Sequence, residues 1–279
     1  MADVPKFRVW ATIGWGYRYA LKHLHHLFRA GWISLIILTI IFLSAPFTVA
    51  IWGEALVTQL LPAVIFAGSY LAVPWHRAIL LNDTQPKTFR FRRAEFVYFA
   101  IALTPIAFSE TIDFLYPDWG ASFGALFVVL WCLVFNYLII LCCFMILPAV
   151  AIEDRSMTLT RVWRLWEGNR FRYLLFLILN SVIYSVCWQG VNMANFAFMR
   201  WLGAALDIDN SKTGILGVDF MKFMVAYGAS SPLLAVILCF LMACCVGGVS
   251  ISYAGIAKRG IEIDGRYDPP AALRDRISV

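Results

Sequence analysis

The sequence predicts an all-α polytopic membrane protein: six transmembrane helices arranged as three hairpins, with amphipathic helices at the interface. Three observations predict it. Of 279 residues, 61% are hydrophobic and only 14% charged, against roughly 25% charged in an ordinary soluble domain. The apolar residues fall in continuous runs of about 20, long enough for a helix to cross a bilayer with its backbone hydrogen bonds satisfied internally. The alternation of a membrane β-barrel is absent. Basic residues cluster in four places, each beside such a run.

The elements follow in order. Residues 1–29 read as a cytoplasmic amphipathic segment, 30–258 as the six-helix transmembrane domain and 259–279 as a cytoplasmic tail. In the first segment, Trp10, Tyr17, Leu21, Leu24 and Phe28 fall on one stripe at helical spacing, while Arg8, Arg18, Lys22, His26 and Arg29 fall mostly to the other side. A basic helix carrying aromatics in this way suits the anionic inner leaflet. The spans are expected at about Ala30–Ile51, Ala55–Leu81, Ala94–Leu115, Ala121–Val150, Tyr173–Met199 and Ser231–Ala257. The first two are joined tightly near Trp52–Gly53–Glu54. Pro105 falls within the third, and Pro148 lies near the inner end of the fourth. Ala30 to Phe47 is too long for a signal h-region and follows a charged segment, so an uncleaved first span is expected. Between the fourth and fifth spans, Leu159, Val162, Trp163 and Trp166 follow i, i+3, i+4, i+7. This predicts a second interfacial helix from Thr158 to Glu167, capped by Ser156 or Thr158 and stopped by Gly168. Trp163 and Trp166 with Arg161 and Arg164 make a candidate lipid-headgroup site.

Charge sets the expected orientation. Lys6, Arg8, Arg18, Lys22 and Arg29 precede the first span. Arg77, Lys87, Arg90, Arg92 and Arg93 lie between the second and third. Arg155, Arg161, Arg164, Arg170 and Arg172 lie between the fourth and fifth, and Lys258, Arg259, Arg266, Arg274 and Arg276 follow the sixth. Twenty of the 23 Lys and Arg residues thus share one side, leaving Arg200, Lys212 and Lys222 on the other. The positive-inside rule places both termini in the cytoplasm, as an even number of spans requires.

Each hairpin opens on a basic, aromatic stretch: His26–Leu27–Phe28–Arg29, Phe91–Arg92–Arg93 and Arg170–Phe171–Arg172–Tyr173. This outline fits a threefold parallel repeat of weak internal identity. The stretch Leu147–Pro148–Ala149–Val150–Ala151–Ile152–Glu153–Asp154, followed by Val162–Trp163–Arg164–Leu165 and Glu167–Gly168–Asn169–Arg170–Phe171–Arg172, resembles a recurring segment in a loose group of bacterial membrane proteins. These are six-helix inner-membrane proteins similar to the membrane domain that precedes the catalytic domain in some glycerophosphodiester phosphodiesterases. Pro74–Trp75–His76–Arg77, with the arginine-rich loop after it, fits the same style. The motif covers about 30 residues. The resemblance implies a six-helix bundle in the bacterial cytoplasmic membrane. The sequence carries no phosphodiesterase domain, so that activity is not implied.

The fifth span is the most polar. Asn180, Ser181, Tyr184, Ser185, Gln189, Asn192 and Asn195 fall within one half of a helical wheel. Hydrocarbon does not tolerate such a face, so it is expected to turn into the bundle, as helix-to-helix glue or as the lining of a wet cavity. Asn180, Tyr184, Gln189 and Asn192, with Glu110 and Asn136 from neighbouring spans, form the candidate ligand-binding set. Glu110 sits late in an apolar span, beside Asp113, where it serves either a proton or cation relay or simply the outer interface. Cys244, Gly248, Ser252 and Gly255 run along the sixth span and suit close helix packing.

Other chemistry finds little support. His23, His25, His26 and His76 could meet at the inner face, but their spacing fits no standard metal set, so no metal or other cofactor is expected. Asp207–Ile208–Asp209–Asn210–Ser211 resembles the start of a calcium loop, with the glycine and final glutamate misplaced. The seven cysteines all fall within spans and form no CxxC pair, which reads as inert helix packing. There is no phosphate-binding P-loop, dinucleotide fingerprint or serine nucleophile elbow. No nucleophile and base stand at usable spacing. The expected function is therefore a non-enzymatic membrane module that organises lipid or a partner protein, or binds a small amphiphile. The alternative is a transporter or channel subunit using the polar face of the fifth span. The expected partners are membrane lipids or another membrane protein. Nucleic acid is not expected, because the basic residues lie in short loops at membrane edges.

Overall fold

The computed structural model describes residues 8–52, 60–83, 92–115, 145–165, 169–205 and 218–264. Among them every regular element is a helix: α1 (Val9–Lys22), α2 (Leu24–Trp52), α3 (Leu61–Leu81), α4 (Arg93–Leu115), α5 (145–151), α6 (Leu159–Leu165), α7 (Arg170–Ala205) and α8 (Val218–Asp264). Four stretches are long and apolar enough to cross a membrane: Leu24–Ala45, Leu61–Leu81, Arg170–Leu202 and Ser230–Lys258. They match the expected first, second, fifth and sixth spans. The residues of the expected third span form the helix α4, which is not among these four. Of the fourth, only residues 145–150 lie within the described residues.

Local chemistry sets the helix ends. Glu95 sits at the third position of α4 and accepts a hydrogen bond from the Arg92 backbone N–H at 2.8 Å, half of a capping box. Asn82 ends α3 in the left-handed conformation, φ 60°. Glu153 does the same after α5, φ 59°. There Asp154 N–H reaches Ala149 O at 2.8 Å and Glu153 N–H reaches Val150 O at 3.1 Å, the paired bonds of a Schellman stop. At the junction of α1 and α2 the His23 ring Nδ1 lies 3.0 Å from Tyr19 O, which the His23 backbone N–H also reaches. A carbonyl only accepts, so Nδ1 carries the proton. This local competition for one carbonyl accompanies the single-residue break there. Hydroxyls inside the helices return to the carbonyl a turn earlier, as Ser69 does to Ile65 at 2.8 Å and Ser252 to Gly248 at 2.9 Å. A hydroxyl bonded in this way is not left unsatisfied in hydrocarbon.

Helix α8 is the hub, touching α1, α2, α3, α6 and α7. Its buried positions are mostly small: Ala235, Cys239, Ala243, Cys244, Gly247, Gly248, Ser250 and Ser252. Without a hydrophobic drive between helices, close packing and interhelical hydrogen bonds hold such a bundle. Trp75 of α3, wholly buried, donates its indole N–H to Ala243 O at 2.9 Å.

The tightest seam joins α1 to α8. Thr12, Gly16 and Ala20 recur every fourth residue on the buried face of α1. A side-chain carbon built on Gly16 would lie 2.7 Å from Gly248 N and 2.8 Å from Cys244 O, so two backbones touch. The face of α1 that packs in the bundle is not the expected aromatic stripe. The buried stripe of α1 is Val9, Thr12, Ile13, Gly16 and Ala20, while Trp10 is 68% exposed and Leu21, Leu24 and Phe28 are exposed too. Of the expected stripe only Tyr17 turns partly inward. Small residues win the protein contact because they allow close approach, and the large ones remain on the outer surface. The division at residue 29/30 consequently falls inside α2, and α8 runs past residue 258 to Asp264.

Candidate functional site

The polar face of α7 divides. Asn180 is buried and Tyr184 half-buried, Asn192 and Asn195 are half-buried, and Ser181, Ser185 and Gln189 are exposed. The inward turn expected of Gln189 is corrected. At 100° per residue, nine positions carry Gln189 half a revolution from Asn180, whereas Tyr184 is displaced by only 40°. The bundle covers an arc narrower than half the helix. Asn136 and the Asp207–Ser211 stretch lie outside the described residues, as do the side chains of Glu110 and Asp113.

Where α7 does meet the bundle, it builds a small polar cluster with α1 and α8. Asn180 and Tyr184 both lie beside the Cys245 thiol. Tyr17 enters from α1 beside Cys245 and Cys244, and burial pushes its phenol above the usual value. The Tyr17 hydroxyl and Asn180 Oδ1 have no hydrogen-bond partner among the described residues. Sequence reasoning placed Asn180 and Tyr184 here and missed Tyr17, which it assigned to a lipid-facing stripe.

A second buried network was not anticipated. His76 of α3 is fully buried, with Nδ1 2.7 Å from Ser250 Oγ and Nε2 3.1 Å from the Tyr98 hydroxyl. Ser250 gives its own proton to Val246 O at 2.8 Å. Its oxygen must therefore accept, so His76 Nδ1 carries hydrogen and Nε2 accepts from Tyr98. Both ring nitrogens are used, and α3, α4 and α8 are pinned together. His76 is thus committed elsewhere than the other histidines. His23, His25 and His26 associate among themselves, with His25 and His26 ring centroids 3.8 Å apart. Among the described residues no group of three or more His, Cys, Asp or Glu side chains is placed to hold a metal ion.

The C-terminal ends of α3 and α5 and the Tyr253 turn of α8 converge on Asp83, Glu153 and Asp154. Arg77 Nε meets Asp83 at 3.2 Å and its guanidinium approaches Glu153 at 3.6 Å, linking the two left-handed helix ends. These pairs are partly exposed and each contributes about 0.2–1 kcal/mol at most. Asp154 accepts from the backbone and hydroxyl of Ser156, at 3.0 and 2.7 Å, and from the Tyr253 hydroxyl of α8. The pair Glu153–Asp154 therefore terminates one helix and ties it to the hub.

Helix α6 begins as expected, with Thr158 Oγ1 accepting from Arg161 N–H at 3.3 Å. Its buried residues are Val162 and Leu165, while Leu159, Trp163 and Arg164 are exposed and Arg161 is half-buried. Trp166 and Gly168 lie outside the described residues. The Arg170 guanidinium stacks 4.6 Å over the Trp163 ring, a cation–π pair that leaves cation and ring together at the surface. An exposed row of aromatics and cations also runs along α1 and the start of α2: Arg8, Trp10, Trp15, Arg18, Lys22, Phe28, Arg29 and Trp32.

Comparison with protein-family models, with curated proteins and with solved structures finds no match. The class defined by these observations is an all-helical membrane protein.

Proposed function

We propose that the chain is a six-span protein of the bacterial cytoplasmic membrane with both termini inside. In this reading it is a non-enzymatic module that organises lipid or a partner protein, or binds a small amphiphile. The observation that carries the proposal is the exposed row of interleaved aromatics and cations from Arg8 to Trp32, joined by the Trp163–Arg170 pair. Rings of this kind settle at headgroup level and cations near phosphates. The resemblance of the Leu147–Asp154 segment to six-helix inner-membrane proteins supports the same placement. Lipid and protein retained after extraction in mild detergent test the reading. Stoichiometric retention of either is expected, and a chain that carries neither would refute it. Reporter fusions after Val279 and near Asp209 are expected to report opposite sides of the membrane. The same side for both would overturn the six-span topology.

The transporter reading draws on the Tyr17–Asn180–Tyr184 cluster, whose two unsatisfied oxygens would suit a hydrated path. Cysteine scanning separates the readings. In a chain freed of native cysteines, Asn180→Cys is expected to resist a water-soluble thiol reagent added from outside. Ready labelling of Asn180→Cys, Gln189→Cys and Asn192→Cys together, with stability unchanged, would establish a path and displace the module reading.

A further inference from the structure

The geometry points to a groove between α2 and α8 as a seat for one acyl chain of an anionic phospholipid. This rests on the orientation and lipid-module reading proposed above, and it names the lipid class and the place. The groove has a volume of about 280 Å³, and its walls include Leu24, Phe28, Leu35, Val236, Ile237 and Phe240. No charged or strongly hydrogen-bonding side chain lines it. Small-molecule pockets run to roughly 300–1,000 Å³ with a few convergent polar groups. This one is at the bottom of that range and has none of those groups, so it suits a single hydrocarbon chain rather than a whole amphiphile.

Charge complementarity selects the occupant. The groove begins at Leu24, in the first turn of α2 and just after the break at His23. Lys22, His25 and Arg29 are all exposed around that end. His25 follows Leu24 and Arg29 follows Phe28, each about 100° further around the helix. Long basic side chains reach past an apolar surface to place their charge at the interface. An anionic headgroup at that end would meet two fixed cations while its chain lies between Phe28 and Val236. Among the described residues, no acidic side chain lines the groove and the first turn of α2 carries none. A zwitterionic lipid would fill the groove equally well but would bring its own cation toward Lys22 and Arg29.

The test is native mass spectrometry of the full chain in mild detergent, titrated with dioleoylphosphatidylglycerol or dioleoylphosphatidylcholine. The wild type is expected to retain one phosphatidylglycerol per chain at a tenth or less of the concentration that phosphatidylcholine needs. Val236→Trp, which fills the groove from the α8 wall, is expected to lower that retention at least tenfold. Lys22→Gln with Arg29→Gln alters only exposed side chains and therefore decides the matter even if the tryptophan variant fails to fold. It is expected to bring the preference between the two lipids close to one while a chain is still retained. Equal retention of both lipids by the wild type, or a preference that survives the loss of both cations, would overturn the inference. So would undiminished retention by a folded Val236→Trp. In each case retained lipid would leave the broader module reading standing. A wild-type chain that retains no lipid and no partner protein would sink both.

Discussion

Gly16→Ala is expected to destabilise the protein severely, while Gly14→Ala, two residues away, is expected to leave it as stable or slightly more so. The added methyl is the same in both. At Gly14 it meets nothing within 4 Å, and at Gly16 it would lie 2.7 Å from Gly248 N and 2.8 Å from Cys244 O. Those are backbone atoms of a packed helix and cannot swing aside as a side-chain tip would. Overpacking of this kind costs about 1–3 kcal/mol and more when backbones must part. Replacing a helical glycine by alanine in open space returns about 0.5–1 kcal/mol. Thermal unfolding in mild detergent measures both. Equal midpoints for the two variants would show that α1 does not sit on α8 as described.

The second large effect is expected at His76. His76→Leu keeps much of the volume but strands the Tyr98 hydroxyl in a buried site, which costs about 1–3 kcal/mol. Ser250 is less affected, because its proton remains on Val246 O. Adding Tyr98→Phe removes the stranded donor, and the double variant is expected to recover about 1 kcal/mol of the loss. Polar pairs between membrane helices average about 0.6 kcal/mol, so the recovery, rather than the first loss, identifies the pair. A double variant no more stable than His76→Leu alone would mean that Tyr98 does not donate to His76.

Much of the architecture was legible in the sequence because hydrocarbon imposes one rule on every residue of a span. Continuous apolar runs marked the membrane-length stretches of α2, α3, α7 and α8 to within several residues, and Thr158 announced the start of α6. The small residues Cys244, Gly248 and Ser252 were legible as a packing surface, whereas Gly255 of the same stripe is exposed. The partner of Cys244 and Gly248 was not legible, because Thr12, Gly16 and Ala20 lie in a segment whose large residues dominate any periodicity. In water the large apolar face of a helix is the buried one. Beside lipid that inference weakens: Trp10, Leu21 and Phe28 stay exposed while the small residues take the buried face. The candidate site was legible only in part. Asn180 and Tyr184 lie 40° apart on one helix and went inward together. Gln189 belonged to the same half-wheel but not to the narrower arc that α1 and α8 cover. His76, Tyr98 and Ser250 come from three helices distant in sequence, and no local spacing links them.

The seat of α1 on α8 also sets a timetable for biogenesis. Gly16 and Gly247 are separated by roughly 230 residues of chain. At about 5–20 residues per second, the first helix leaves the ribosome roughly ten to fifty seconds before its partner exists. During that interval its glycine face has nothing to dock on, while its tryptophans and arginines already suit a bilayer surface. The helix α1 therefore reaches its seat in the bundle only once α8 has been made. Truncation before α8 would leave its glycine face without a partner.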